Sequence, residues 1–353
     1  MPQRNRSIDI LRALAIILMV YGHYGSLPVT EVLEFYFPLY SFHMPLFLFV
    51  SGYLFRDIEG RDYGRFVWKK TLHIALPLIG WNIIYAGIVT LLDWRNVTDF
   101  LPPIEQVWTF HNLFVEPFIC GHQYLLNLAT WFAGMLYVAL LVYGLLHVAL
   151  KRLPDWAMLL VYLGIGVLGL WGARMPHAYW VMVPLHVSQA LFYIHFGRCF
   201  RRYAEPFLAR FDQRMVLFAL LALWFVVLRL GHVPYMLVFM NYGGQLFIPL
   251  LAAAVGCMFW KTLSDRIAWY VRPNRLEEII SASTWQIMTH HLFVRFLLNW
   301  VFVYVLNDDL AQQALFRSEM YFHVPYGYFP LDICLTVGLP VLWYLLWTRW
   351  KRL

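Results

Sequence analysis

The chain alternates between long apolar stretches and short segments that hold most of its charged residues. A helix that crosses a membrane needs roughly 20 mainly apolar residues in succession. Such stretches recur along the whole sequence and predict about ten membrane-spanning helices, at residues 7–25, 35–55, 72–92, 125–146, 157–172, 180–197, 214–231, 236–260, 279–306 and 331–348. We therefore expect an all-α, polytopic integral membrane protein in which residues 1–353 form a single transmembrane domain.

Composition points to the same fold class. Apolar residues make up 61% of the chain and charged residues 13%, against roughly 45–50% and about 25% in soluble proteins. A soluble protein could not bury so much apolar surface with so few charges left for its exterior.

The four cysteines are widely spaced and indicate neither a disulfide framework nor a metal site. Asp9 and Arg12 interrupt the first apolar stretch, which is interpreted as a retained span and not as a signal peptide.

The basic residues predict the orientation of the spans. Of the 27 lysines and arginines, 21 precede the first span or follow an even-numbered one. The positive-inside rule then places both termini in the cytoplasm. This topology accounts for the net charge of +7, so we expect membrane lipids and no nucleic acid as partners. The two longest loops on the opposite side, 93–124 and 307–330, are candidates for recognition because loops of that length are often functional.

Ionisable side chains inside spans are costly and mark candidate functional sites. Arg12 and His23 lie eleven residues apart in the first span. Eleven residues bring a helix back to within about 20° of the same face, about 16 Å along its axis, so both side chains can line one groove. Asp9 lies three residues before Arg12 and can pair with it. The alternative is a structural Asp–Arg pair beside a packed histidine.

Two further spans carry histidines. His43, two residues before Pro45, is either a hydrogen-bonded core residue or part of a site. In the ninth span His291 and Arg295 share a helix face, whereas His290 points about 100° away. Adjacent histidines suggest a metal site, but they diverge and no carboxylate lies near them in sequence, so no metal is predicted.

These residues predict an interior polar site with an anion-attracting cytoplasmic mouth. Histidine suits proton transfer near neutral pH, and arginine suits a phosphate or carboxylate group. The pattern does not choose between an enzyme and a proton-coupled transporter or flippase of a sugar-containing or acidic metabolite. A third hypothesis is that the protein is a sensor or scaffold in an envelope-polysaccharide assembly.

Six short motifs along the chain resemble, in order, those of the membrane-bound acyltransferase family 3, in particular its fucose-4-O-acetylase-like branch. They are Asp9-x-x-Arg12 with Gly22-His23, the segment 42–55, the basic segment 65–77, Trp131-Phe132, the segment 192–197, and Ile287-Met288-Thr289-His290-His291. The last of these follows the pattern Ile-Met-x-x-His. The sequence departs from the family pattern at Ala133, where leucine is usual, and at His43, where the pattern is loose.

The resemblance implies transfer of an acyl group, usually acetyl, from cytoplasmic acetyl-CoA to a hydroxyl of a cell-envelope glycan or lipid-linked sugar. The expected location is a cell membrane, the inner membrane of a bacterium, and no tightly bound cofactor is expected. His23 would be the catalytic histidine, as a base or as an acyl carrier, and Arg12 would act with it and hold CoA. The resemblance implies CoA-phosphate contacts for Arg65, Lys69 and Lys70. It implies site-shaping or substrate-binding roles for Asp9, His43, His291, Arg295 and Trp131.

Overall fold

The computed structural model describes residues 5–23, 38–94, 107–119, 124–176, 178–231, 237, 240, 243–307 and 329–350. Within these ranges the chain is helical and contains no β-strand. The α-helices are α1 (Arg6–Gly22), α2 (His43–Tyr53), α3 (Tyr63–Lys70), α4 (Leu76–Trp94), α5 (Glu116–Ile119), α6 (Trp131–Ala149), α7 (Asp155–Gly172), α8 (Met182–Cys199), α9 (Glu205–Leu208), α10 (Gln213–Gly231), α11 (Ile248–Tyr270), α12 (Arg275–Ala282), α13 (Thr284–Leu306) and α14 (Phe329–Trp350).

The prediction of an all-α protein is confirmed for the described residues, and each predicted span overlaps a helix. The eighth boundary was wrong: α11 begins at Ile248, not at 236. Gly243 and Gly244 adopt positive φ angles of 54° and 81° just before it, a conformation that ends regular helix, and Pro249 suits a first helical turn. The ninth span is divided, because Ser283 separates α12 from α13.

Five helical segments of the described chain are long and apolar enough to cross a membrane: Gly60–Leu92, Leu125–Ala149, Asp155–Gly172, Gln213–Gly231 and Phe329–Trp350. The helices at the other predicted spans are shorter or more polar. α2 has only 11 residues, and α11 contains Lys261, Asp265 and Arg266. The structure thus supports an integral membrane protein, while the count of ten spans and the cytoplasmic termini stay predictions.

The chain divides into two compact units. Unit 1 consists of Met1–Ala15, Leu33–Thr71 and Met135–Asn274, and unit 2 of Ile16–Val32, Leu72–Gly134 and Arg275–Leu353. Because the segments alternate along the sequence, α1 contributes its first part to unit 1 and its last part to unit 2.

Unit 1 is built around the close crossing of α2 and α8. A Cβ added to Gly52 would overlap the carbonyl oxygen of Ile194, and one added to Gly197 would overlap that of Phe49. Small residues at such crossings let helix backbones approach closely without a side chain between them. Gly52 is therefore a packing residue.

Unit 1 also contains an ionic cluster around the buried Lys261. The Lys261 ammonium donates to a carboxylate oxygen of Glu205 at 2.6 Å and to both oxygens of Asp265 at 2.8 Å. The Tyr53 hydroxyl donates to Glu205 at 2.8 Å, and the Ser7 hydroxyl donates to Asp265 at 2.5 Å. The lysine has three donors and no acceptor, so these contacts tie α1, α2, α9 and α11 together through one charge.

Unit 2 is organised around α13, which packs against α14 and against the 3-10 segment Leu125–Thr130. In the same unit α4 packs against the π-helical turn His111–Val115. The side-chain amide of Asn82 donates to the carbonyls of Asn112 and Leu113, at 2.8 and 3.0 Å. These contacts hold the described part of the 93–124 loop against a long helix.

Candidate functional site

Two histidines meet in unit 2. His23 directly follows the last residue of α1, and His291 lies on α13. Their ring centroids are 5.0 Å apart and the ring planes are inclined by 60°. His291 is fully buried and His23 is partly buried. Two residues far apart in sequence thus form one imidazole pair.

Hydrogen bonds to the backbone define how each ring carries its proton. Nδ1 of His23 lies 2.9 Å from the carbonyl oxygen of Met19, and Nδ1 of His291 lies 2.9 Å from that of Ile287. A carbonyl only accepts, so Nδ1 of each neutral ring must be the N–H donor. Nε2 is then the basic nitrogen with the lone pair. Nε2 of His291 is buried and has no hydrogen-bond partner among the described residues.

A buried ion pair adjoins the histidines. Arg295, one turn after His291 on α13, donates from Nη1 to the backbone carbonyl of His23 at 3.0 Å. Its Nη2 lies 3.5 Å from Oδ1 of Asp332 in the first turn of α14. Both side chains are fully buried. The Thr336 hydroxyl donates to the backbone carbonyl of Asp332. A buried guanidinium needs a counter-charge and hydrogen bonds; here Asp332 supplies the counter-charge and the His23 carbonyl accepts one hydrogen bond.

The structure thus brings together three residues singled out from the sequence: His23, His291 and Arg295. It adds Asp332, which the sequence interpretation missed. The signal was present, because Asp332 is an acidic residue inside the apolar stretch 331–348 and intramembrane charges mark functional sites by default.

His290 faces a different environment, as its position on the helix predicts. Its Nδ1 is 3.0 Å from the hydroxyl of Tyr85, and its ring centroid is 4.3 Å from that of Trp81. The Tyr85 hydroxyl also donates to the carbonyl of Thr289 at 3.1 Å. In the described part of the chain no group of three or more histidine, cysteine or carboxylate side chains is arranged to hold a metal ion.

Comparison with known proteins identifies the family. The acyltransferase 3 family model, described as an acyltransferase domain, matches residues 5–316. The chain belongs to this acyltransferase family. The resemblance seen in the motifs is confirmed at the level of the family, and with it the assignment to the acyltransferase class of enzymes.

Two curated relatives share local similarity with this acyltransferase-family chain. Nodulation protein NolL of Mesorhizobium japonicum is 25% identical over 107 residues, which cover 28% of this chain and 29% of the relative. Nodulation protein NolL of Sinorhizobium fredii is 29% identical over 104 residues, which cover 27% and 28%. The match therefore spans less than a third of each relative. No solved structure matches the chain.

The remaining predicted site residues of the acyltransferase chain lie on several elements. In unit 1, Asp9 is buried and Arg12 is half-buried on α1. His43 is buried in the same unit, with Nδ1 2.6 Å from the carbonyl of Leu39. Trp131 is buried in unit 2, where it begins α6.

The predicted CoA-binding basic residues lie on α3, where Arg65 and Lys69 are exposed and Lys70 is half-buried. Arg65 is exposed and contacts Asp62 at 3.2 Å. Lys69 is exposed, and the Lys70 ammonium lies 5.4 Å from the centroid of the Phe66 ring. An exposed pair of this kind contributes only about 0–1 kcal/mol, so Arg65 is available to a phosphate.

A cavity of about 370 Å³ opens in unit 1 beside the ionic cluster. Its wall includes Glu205, Asp265, Arg266 and Trp269. The two carboxylates already accept hydrogen bonds from Lys261. Carboxylates in the wall disfavour a phosphate, so we do not assign the CoA-phosphate site to this cavity.

The described part of the 93–124 loop exposes aromatic rings. Trp108, Phe110 and Phe114 are exposed, with Phe110 at 74%. The Trp108 indole N–H donates to the hydroxyl of Thr90 at 2.8 Å, which fixes the ring.

In the same loop, His111 Nε2 lies 3.1 Å from Glu116. Burial raises the pKa of Glu116, and the hydrogen bond from His111 opposes that rise. Residues 308–328 of the second predicted loop lie outside the described residues.

Proposed function

We propose that this protein is an integral membrane O-acyltransferase of the bacterial inner membrane. It transfers an acyl group, most simply acetyl, from cytoplasmic acyl-CoA to a hydroxyl of a cell-envelope glycan or lipid-linked sugar. Family membership supports the reaction class, and the motif resemblance to the fucose-4-O-acetylase-like branch supports a sugar acceptor. The observation that carries the proposal is the His23 ring beside His291, with Nδ1 held by the Met19 carbonyl so that Nε2 is the base.

In the proposed reaction, Nε2 of His23 removes the proton of the acceptor hydroxyl while that oxygen attacks the thioester carbonyl. A carbon–oxygen bond forms, the carbon–sulfur bond breaks, and the CoA thiolate leaves. The imidazolium then returns its proton to the thiolate, which gives the ester and free CoA. Because His291 packs against the His23 ring, it restricts the rotation of that ring. If His23 instead carries the acyl group, the same nitrogen attacks the thioester and the CoA thiolate leaves as the carbon–sulfur bond breaks. The acceptor oxygen then takes the acyl group from the acyl-imidazole, which regenerates His23, and the hydroxyl proton passes to the thiolate.

The donor end of the proposed site uses basic residues. Arg12 holds the pyrophosphate or the pantetheine arm of CoA, and Arg65, Lys69 and Lys70 contact its phosphates. The exposure of Arg65 and Lys69 supports this assignment, as does the suitability of guanidinium groups for phosphate. CoA is too highly charged to enter the hydrocarbon region, so only its thioester arm would reach the catalytic histidine. The motif resemblance supports the site-shaping roles proposed for Asp9, His43 and Trp131.

The acceptor end of the proposed site includes the exposed aromatic rings of residues 107–119. An aromatic ring presents a flat apolar face to the C–H groups of a sugar. Trp108 is held in place by its bond to Thr90, so it offers this face without a large ordering cost.

The test combines acetyl-CoA binding with a conservative substitution at His23. In His23→Asn the amide N–H can still donate to the Met19 carbonyl, but no basic nitrogen remains. We expect acetyl transfer to fall by about 10²–10⁴-fold, the usual contribution of a general base. Thermal stabilisation of the purified protein by acetyl-CoA should persist in His23→Asn and weaken in Arg12→Ala.

Each result has a defined meaning. Normal transfer by His23→Asn would refute the role of His23. Absence of stabilisation by acetyl-CoA, in wild-type protein shown to be folded, would refute acetyl-CoA as the donor and leave two alternatives, a different acyl donor or the transporter. Acetyl trapped on His23 by rapid quenching and detected by mass spectrometry would support the acyl-carrier route over general base catalysis.

A further inference from the structure

We propose that Asp332 is a positioning residue for His23 and that it acts through Arg295. The inference rests on the proposed function, because it concerns the placement of the residue proposed as the base. The three residues form one continuous set of contacts in unit 2: the Asp332 carboxylate, the Arg295 guanidinium and the backbone carbonyl of His23.

The backbone of His23 lies just beyond the C-terminal end of α1, where intrahelical hydrogen bonds stop. The last carbonyls of a helix lack intrahelical donors, and His23 follows the final residue of α1. Arg295 donates to the His23 carbonyl at 3.0 Å, while Nδ1 of the same residue is bonded to Met19. Backbone and ring are thus fixed by separate partners. Loss of the arginine contact would free the backbone that carries the ring.

Asp332 stabilises Arg295 in its buried position. A guanidinium in an apolar interior is strongly destabilised unless a counter-charge lies nearby. Long basic side chains otherwise extend toward water or lipid headgroups. The Asp332 carboxylate, 3.5 Å from Nη2 and fully buried, stabilises the inward conformation. Through that conformation it keeps the donor at the His23 carbonyl.

The pair also controls the charge close to the imidazoles. When His23 takes the proton of the hydroxyl, it becomes positive in a region that already holds the Arg295 charge. Asp332 offsets that charge, so imidazolium formation meets less repulsion in a medium that screens charges poorly. Removal of the carboxylate should therefore slow the chemical step more than it weakens binding of the donor.

The test compares Asp332→Asn with Asp332→Glu and with the exchanged pair Arg295→Asp/Asp332→Arg. Acetyl-CoA is the donor, an envelope-glycan extract is the acceptor, and free CoA thiol is measured. We expect Asp332→Asn to lower kcat by about 100-fold, the effect of an ångström-scale misplacement of a reacting group. Its KM for acetyl-CoA should stay within about 2-fold, since the donor is held elsewhere. Asp332→Glu should recover most of kcat.

The exchanged pair separates charge balance from positioning. It restores one positive and one negative charge, so thermal stability should return toward that of wild type. A carboxylate at position 295 cannot donate to the His23 carbonyl, so kcat should stay low. Recovery of kcat by the exchanged pair would overturn the proposal, and so would an unchanged kcat in folded Asp332→Asn.

A second readout does not depend on acyl transfer. The rate at which diethyl pyrocarbonate modifies His23, mapped by mass spectrometry, should change several-fold in Asp332→Asn and stay close to wild type in Asp332→Glu. If wild-type protein transfers no acetyl group but this rate changes, the proposed function fails and the positioning role stands. If transfer occurs and neither the rate nor kcat responds to Asp332→Asn, only the positioning role fails.

Discussion

Replacement of Gly52 by alanine should destabilise unit 1, whereas replacement of Gly80 should not. At Gly52 the three atoms nearest to an added Cβ belong to the backbone of Ile194, so no side-chain rotation can relieve the overlap. α2 and α8 would have to move apart. Gly80 lies inside α4 and an added Cβ there meets nothing within 4 Å, which makes Gly80→Ala a matched control.

The expected magnitude follows from two opposing effects. Alanine in place of glycine favours a helix interior by about 1 kcal/mol, and both variants gain this. An extra methyl group in a tightly packed interface costs about 1–3 kcal/mol, and only Gly52→Ala has this cost. The difference between the two variants is therefore about 1–3 kcal/mol in favour of Gly80→Ala. Contact with backbone atoms places the value in the upper part of that range.

The assay is thermal unfolding of the two purified variants in the same detergent, followed by tryptophan fluorescence. The midpoint of Gly52→Ala should lie clearly below that of Gly80→Ala, with wild type between them or near the control. Equal midpoints, or a higher midpoint for Gly52→Ala, would show that the two helices do not cross at this glycine and would refute the reasoning.

Two other substitutions test different parts of the molecule. Lys261→Met removes the cation that binds Glu205 and Asp265. Breaking a fully buried ion pair costs about 3–5 kcal/mol of stability. Because the two carboxylates are 30% and 31% exposed, we expect the cost for this variant near the lower end of that range. A thermal midpoint no lower than that of the exposed-site control Lys151→Met would contradict this. Phe110→Ser should raise the acceptor KM several-fold and leave stabilisation by acetyl-CoA unchanged. Phe207→Ser, at another exposed ring, is the control. Equal acceptor KM values for the two variants would contradict the proposed role of residues 107–119 in acceptor binding.

The apolar runs were sufficient to predict an all-helical chain, because a helix in lipid must satisfy its own backbone. Boundaries were harder to predict where the hydropathy stays high across a turn. The start of α11 illustrates this: residues 236–247 are largely apolar, yet Gly243 and Gly244 leave the helical conformation. Averaged hydropathy does not detect a change of backbone dihedral angle, although Pro249 was a local signal for the first turn.

For the candidate site, individual residues were predictable and their meeting was not. His23, His291 and Arg295 stand out as polar groups in apolar stretches. Arg295 and His23 are 272 positions apart, so their contact depends on which helices pack together, and spacing along one helix carries no information on that. Asp332 is likewise a polar group in an apolar stretch, but it lies outside the motifs that resemble the family, so those motifs do not point to it.

The distance in sequence between His23 and Asp332 has a consequence for biosynthesis. At a translation rate of about 5–20 residues per second, roughly 15–60 s separate their synthesis. During that interval the end of α1 has left the ribosome while α14 does not yet exist. The arrangement around His23 is therefore completed only when α14 has been made and inserted. A chain that stops short of α14 contains the histidine without the Asp332 carboxylate, so in the proposed arrangement premature termination removes the counter-charge of Arg295 together with the last helix.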